Sequence, residues 1–153
     1  MRKFFLITDK KFIQYNAPAT TLPYRATKNS AGYDMFSPID TTIAPNSSEL
    51  IWTNVKATYG ENEVLMLFVT SKMGKSHVML ANGTGVIDSD YFENPNNDGN
   101  LGFRLLNLGK EPYVIKTGDK IGQGVFMPFL TVDDEDVSKQ KNRVGGFGST
   151  GGN

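Results

Sequence analysis

Hydrophobic positions in this chain come in short runs, rich in β-branched and aromatic residues and punctuated by turn formers every eight to twelve residues. That pattern predicts strands, with helix in the minority. The predicted strands are 3–7, 50–58, 64–70, 78–81, 84–87, 101–107, 113–115 and 120–129, separated by segments such as Pro45-Asn46, Gly60-Glu61-Asn62, Leu108-Gly109 and Gly118-Asp119. Their spacing suggests an all-β jelly roll or closed barrel.

Two of these strands carry more specific expectations. Val64 to Val69 is apolar at every position, so it should be central and buried on both faces. In 120–129, period two places Ile121, Gln123, Val125 and Met127 on one face, leaving a single amide on an apolar surface and in need of a partner. Asp133-Asp134-Glu135-Asp136, followed by Lys139, Lys141 and Arg143, reads as a solvated connector with room for a short capped helix. Residues 143–153 hold five glycines and almost no apolar mass, so they cannot fold alone. They are either a disordered end or a segment ordered by ligand.

The chain has 153 residues, enough for one domain with a sizeable core. Sixteen basic residues cancel sixteen acidic ones, so no global field draws it onto nucleic acid or an anionic membrane, and neither is an expected partner. The absence of cysteine removes disulfides and thiolate chemistry and fits a reducing, cytoplasmic setting. A single histidine, His77, excludes most zinc constellations. Four apolar residues after Met1-Arg2-Lys3 are too few for a secretory core, and no run approaches a membrane span.

Several local patterns fail on inspection. Gly74-Lys75-Ser76 resembles the end of a phosphate loop, but Val69 stands where its first glycine is required. The segment from Asn94 to Gly99 imitates a calcium loop, yet the closing acid would fall at Leu105, and a hairpin turn explains it better. Ser76 and His77 are adjacent and point apart in a strand, so an exposed histidine is expected. Two segments are less ordinary. An apolar strand ends abruptly in Asp88-Ser89-Asp90-Tyr91, with both carboxylates on one side if the strand continues, and the amide of Asn82 lies just upstream. In Gly145-Gly146-Phe147-Gly148-Ser149-Thr150-Gly151, glycines let amides converge on an anion, the hydroxyls add donors, and Arg143 adds a charge-assisted contact. An acidic strand end and a flexible tail are the plain alternatives.

Taken in order, these segments resemble the five motifs of the trimeric dUTP pyrophosphatase (dUTPase) family. They are Ala31-Gly32-Tyr33-Asp34-Met35; Thr70-Ser71-Lys72-Met73-Gly74, a weaker match; Asn82 with Gly85-Val86-Ile87-Asp88-Ser89-Asp90-Tyr91; Gly118-Asp119-Lys120-Ile121-Gly122-Gln123; and Arg143 with residues 145–151. The resemblance implies a distorted jelly-roll β-barrel domain over residues 1–142, a lid over residues 143–153, and a homotrimer whose active sites are each built from three chains. It implies attack of water on the α-phosphorus of dUTP, giving dUMP and pyrophosphate, with Mg2+ on the phosphate chain. Asp88 would be the general base, and Asp34 would hold water around the metal. Asn82 would read uracil with help from the backbone of a hairpin around residues 82–91, Gly85 included. Tyr91 would lie under the deoxyribose and exclude a 2′-hydroxyl, and Phe147 would stack on the base. Ser71, Gln123, Arg143, Ser149 and Thr150 would bind phosphates, with Gly74 and Gly148 beside them.

The departures are informative. The family's arginine in the second motif is Thr70 here, and its small third residue is Lys72, so a planar phosphate clamp is replaced at best by an ammonium from Lys72 or Lys75. The fifth motif is also one residue shorter between Arg143 and Phe147 than in many relatives. Alternatives from the same fold are a nucleotide-sensing protein with little turnover and a dCTP deaminase-like enzyme.

Overall fold

A sheet with one face on a core must alternate buried and open side chains along each strand, as 63–68 does with Leu65 and Leu67 buried between half-buried neighbours. The computed structural model describes residues 1–19 and 21–140; the expected lid, with Arg143, Phe147, Gly148, Ser149 and Thr150, lies outside them. The described strands are β1 (Lys3–Leu6), β2 (Tyr33–Phe36), β3 (Thr41–Ile43), β4 (Ser47–Trp52), β5 (Val55–Thr58), β6 (Glu63–Phe68), β7 (Val78–Leu80), β8 (Gly85–Asp88), β9 (Gly102–Asn107), β10 (Tyr113–Ile115) and β11 (Lys120–Pro128). One short helix, α1 (Ser71–Lys75), follows β6. No described helix is long and apolar enough to cross a membrane.

All strand pairs are antiparallel, in a four-stranded sheet β2-β11-β6-β8, a three-stranded sheet β4-β9-β7 and the pairs β1-β5 and β10-β3. This is a jelly roll. Met35 of β2, Leu65 and Leu67 of β6, Phe103 and Leu105 of β9 and Ile121 of β11 are almost wholly enclosed and meet in one core.

Four expectations change. Strand 50–58 is split at Thr53-Asn54, where Asn54 takes a left-handed φ of 58° and donates its N–H to Asn100 Oδ1 at 2.9 Å. The chain thereby leaves β4's sheet and pairs with β1 instead. β7 and β8 do not form a hairpin, since β7 pairs with β9 and β8 with β6. The segment from Asn94 to Gly99 is not a hairpin turn either, but a loop between β8 and β9. Finally, β6 is central as expected, yet only Leu65 and Leu67 are fully buried, while Val64, Met66 and Phe68 on the other face are half-buried. Beyond β11, Asp136 caps a single turn, Val137–Lys139, by accepting the Ser138 N–H at 3.1 Å, in a wholly exposed connector as predicted.

Candidate active site

The β2–β11 pairing sets Asp34 directly opposite Gln123, but a β-bulge at Lys120–Gly122 first shifts the register. A bulge adds one residue to one strand and breaks period two locally. Ile121 therefore enters the core, whereas Gln123 lands on the outer face with Val125 and Met127, correcting the shared face inferred from spacing. Gln123 lines a cleft of about 420 Å³ with Asp34, Thr70, Ser71, Lys72, Asp119, Lys120 and β10 residues including Tyr113. Its amide lies against Gly32, where a Cβ would overlap Oε1 and come within 2.9 Å of Cδ. The glycine of the first motif thus leaves room for the glutamine of the fourth.

Charges in the cleft are mixed. Lys120 Nζ lies 2.6 Å from Asp34 Oδ2, and Asp34 is 6% exposed. Burial raises the pKa of the Tyr113 phenol, and the charge of Asp119 adds to the rise, so the cleft keeps a neutral phenol at physiological pH. Lys72 is exposed and makes no ion pair among the described residues. Thr70, in the arginine's place, caps α1: its Oγ1 accepts the Met73 N–H at 3.3 Å. Gly74 lies within α1, its N–H bonded to Thr70 O at 3.0 Å, and does not line the cleft.

The third motif occupies the opposite corner of the same sheet. Asp88 ends β8, exposed, and the chain then enters the turn Ser89–Tyr91. Asp90 is therefore not on Asp88's strand face, contrary to the continued-strand spacing. Tyr59 donates its hydroxyl to Ile87 O at 2.6 Å, fixing the peptide that carries Asp88. Gly85 is packed so closely on β6 that a Cβ would stand 2.9 Å from Leu67 Cβ. Asn82 is exposed in the β7–β8 connection; its Nδ2 donates to Thr84 O at 3.3 Å, and its Oδ1 accepts nothing among the described residues. Tyr91 is 4% exposed and donates its hydroxyl to Asn100 O at 2.8 Å.

These residues form two groups. Asp34 shares a row with Gln123 and Phe68, whereas Asp88 pairs with Val64, four residues along β6 and three strands from β2. At ~3.3 Å per residue and ~4.8 Å per strand, Asp34 and Asp88 of one chain are roughly 20 Å apart. The cleft collects Asp34, Ser71, Lys72 and Gln123; Asn82, Gly85, Asp88 and Tyr91 lie elsewhere. Tyr59, Tyr113, Asp119 and Lys120 were not singled out from sequence, although the fourth motif contains the last two. Tyr59 carries no motif, and only tertiary contact reveals it.

Asp34 and Asp119 give the cleft hard oxygen donors of the kind magnesium prefers, but no cluster of three or more metal-ligating side chains exists among the described residues. A dication bound directly to Asp34 would also abut the Lys120 ammonium. The donor set fits a magnesium ion held through water.

Fold and cleft together define a β jelly-roll protein with a mixed-charge cleft at one end of its four-stranded sheet. A family model described as dUTPase matches residues 19–151. The deoxyuridine 5′-triphosphate nucleotidohydrolase of Lactococcus lactis is 40% identical over 139 residues, 90% of this chain and 93% of its own. The dUTPase crystal structure from Streptococcus mutans superposes with a TM-score of 0.72 at 38% identity, covering 85% of this chain and 98% of that one. At 24% identity and a TM-score of 0.68, a mutant dUTPase from phage phi11 of S. aureus, in which a structural Mg(II) ion is coordinated, covers 91% of this chain and 97% of its own and shares the fold. The chain belongs to the dUTPase family.

Proposed function

We propose that the protein hydrolyses dUTP to dUMP and pyrophosphate, with each active site built at the junction of two or more copies of the chain. The observation that carries this reading is the placement of Asp88 and of the Asp34–Gln123 cleft at opposite corners of one sheet face. Being roughly 20 Å apart, they cannot act on one phosphorus within a single chain. Between them, Val64, Met66, Phe68, Val86, Val125 and Met127 form an apolar face in adjacent rows, half-buried or exposed. A head-to-tail contact over such a face forms a ring when its rotation closes, and a three-membered ring would bring Asp88 of each copy to the cleft of the next. Homotrimer formation would also complete the burial expected for β6.

In such a site, Asp88 accepts the proton of water as its oxygen bonds to the α-phosphorus, and the bond to the bridging oxygen of the β-phosphate breaks to release pyrophosphate. A carboxylate is a weak base toward water, so rate depends on the positioning that β8 and Tyr59 provide. Gln123, Ser71 and Lys72 hold phosphate oxygens. Magnesium on the phosphate chain would supply charge neutralisation, with Asp34 holding its waters. Asn82 Oδ1 accepts from uracil N3–H; cytosine lacks that hydrogen, leaving the acceptor unpaired. Tyr91 faces the sugar. Residues 143–153 act as a lid on the domain formed by 1–142, contributing Arg143, Ser149 and Thr150 to phosphates, Gly148 beside them, and Phe147 to the base.

The nucleotidohydrolase relatives favour hydrolysis over the sensor and deaminase alternatives. Pyrophosphate release is the direct test, with dUTP against dCTP, dTTP and UTP. Release from dUTP alone is expected; tight dUTP binding without product, or ammonia from dCTP, would overturn the reading.

A further inference from the structure

Tyr91 is held more elaborately than a ring that merely fills space needs to be. Its hydroxyl is bracketed, accepting from Asn97 Nδ2 at 2.6 Å and donating to Asn100 O at 2.8 Å. Asn97 is itself fixed, since its Oδ1 accepts from Asn94 Nδ2 at 2.7 Å and from the Gly99 N–H at 3.2 Å. Asn94 Nδ2 also donates to Tyr91 O at 2.9 Å. Asn100 is fully buried and exchanges hydrogen bonds with Asn54, accepting its N–H at 2.9 Å and donating Nδ2 to its Oδ1 at 2.8 Å. Gly99, at φ +79°, lets the loop close on Tyr91: a Cβ there would stand 2.9 Å from Tyr91 O.

We propose that this asparagine loop, Asn94–Asn97–Asn100, is a specificity brace that stops the Tyr91 ring from retreating to admit a ribose 2′-hydroxyl. The inference rests on the reading that Tyr91 faces the sugar. A ring refuses one extra oxygen only if its far end cannot give way. Withdrawal by about an ångström would strain both hydroxyl hydrogen bonds, the part-buried one from Asn97 and the buried one to Asn100 O, and at the buried one water does not replace what is lost. Asn97 and Asn100 are therefore positioning residues acting through Tyr91.

The experiment measures kcat and KM of the full-length chain with dUTP and UTP, or the UTP inhibition constant where turnover is too slow. Tyr91→Phe removes one oxygen, Asn97→Ala removes the brace, and Tyr91→Leu removes the ring. The ratio of kcat/KM for dUTP over UTP should fall about tenfold in Tyr91→Phe and Asn97→Ala, through a gain with UTP. A purely structural role would lower both substrates together and leave the ratio in place. If Tyr91→Leu lowers the ratio while the other two keep the wild-type value, the brace is overturned and the sugar contact stands. If Tyr91→Leu also keeps it, the sugar contact itself fails and takes the brace with it. Should Asn97→Ala not fold, as judged by thermal melting, Tyr91→Phe decides alone.

Discussion

Asp88→Asn leaves the size and hydrogen-bonding reach of the side chain almost intact while removing its ability to take a proton. Turnover of dUTP should fall about 10²- to 10⁴-fold with binding largely kept; single-turnover kinetics beside calorimetric titration would separate the two, and ordinary turnover would remove Asp88 from its role. A different residue tests the cleft. A methyl group at Gly32 would collide with the Gln123 carboxamide. Gly32→Ala should therefore weaken dUTP binding by roughly 10- to 100-fold, the worth of one hydrogen bond to a charged group; affinity equal to wild type would show that Gln123 does not touch phosphate. Motif spacing disclosed both residues but not their relation, because Gly32 and Gln123 meet only across the β2–β11 ladder.

At the scale of elements, the second motif shows one position exchanging one task for another. Thr70 supplies no guanidinium, but it caps a helix of five residues that presents Ser71 and Lys72 to the cleft. Thr70→Ala should cost about 1 kcal/mol of stability, while Thr70→Ser should cost little. Chemical denaturation would read both, and equal stability for the alanine variant would mean that the cap contributes nothing. Patterning located most strands because their inward residues repeat at every second position. It missed β2, whose apolar run is broken by Asp34, and β3, where Ile43 is the single apolar residue, so neither presents a hydrophobic run to register. It also could not foresee the bulge at Lys120–Gly122, which puts Ile121 and Gln123 on opposite faces of β11. A bulge is fixed by what the neighbouring strand presents, and β2 lies more than eighty residues earlier in the chain.

For the whole molecule, the decisive property is the separation of Asp88 from the Asp34–Gln123 cleft. If sites are shared between copies, a chain with Asp88→Asn and a chain with Gln123→Ala are each poor enzymes but complement one another. Unfolding and refolding an equal mixture should restore about a quarter of the wild-type sites, since either intact half is drawn at random. Activity no greater than that of the separate variants would show that each chain works alone. The same experiment tests whether the apolar face between the two corners is an interface, because complementation requires copies in contact.

The sequence by itself determined the class of fold and the chemistry on offer. Alternating apolar runs dictate sheets, neutral charge removes nucleic acid and membrane from the expected partners, and five ordered motifs name the carboxylates, amides and hydroxyls. Such information is local, and spacing along the chain preserves it. Tertiary structure alone decided which of those groups share a site, since β11 and β2 bring Gln123 to Asp34 while β6 holds Asp88 away from both. It also decided that Tyr91 ends in a cage of asparagines rather than in open core. The reason is physical: hydrogen-bonded ladders and buried side-chain amides join residues distant in sequence, and their partners are chosen by packing, not by order in the chain.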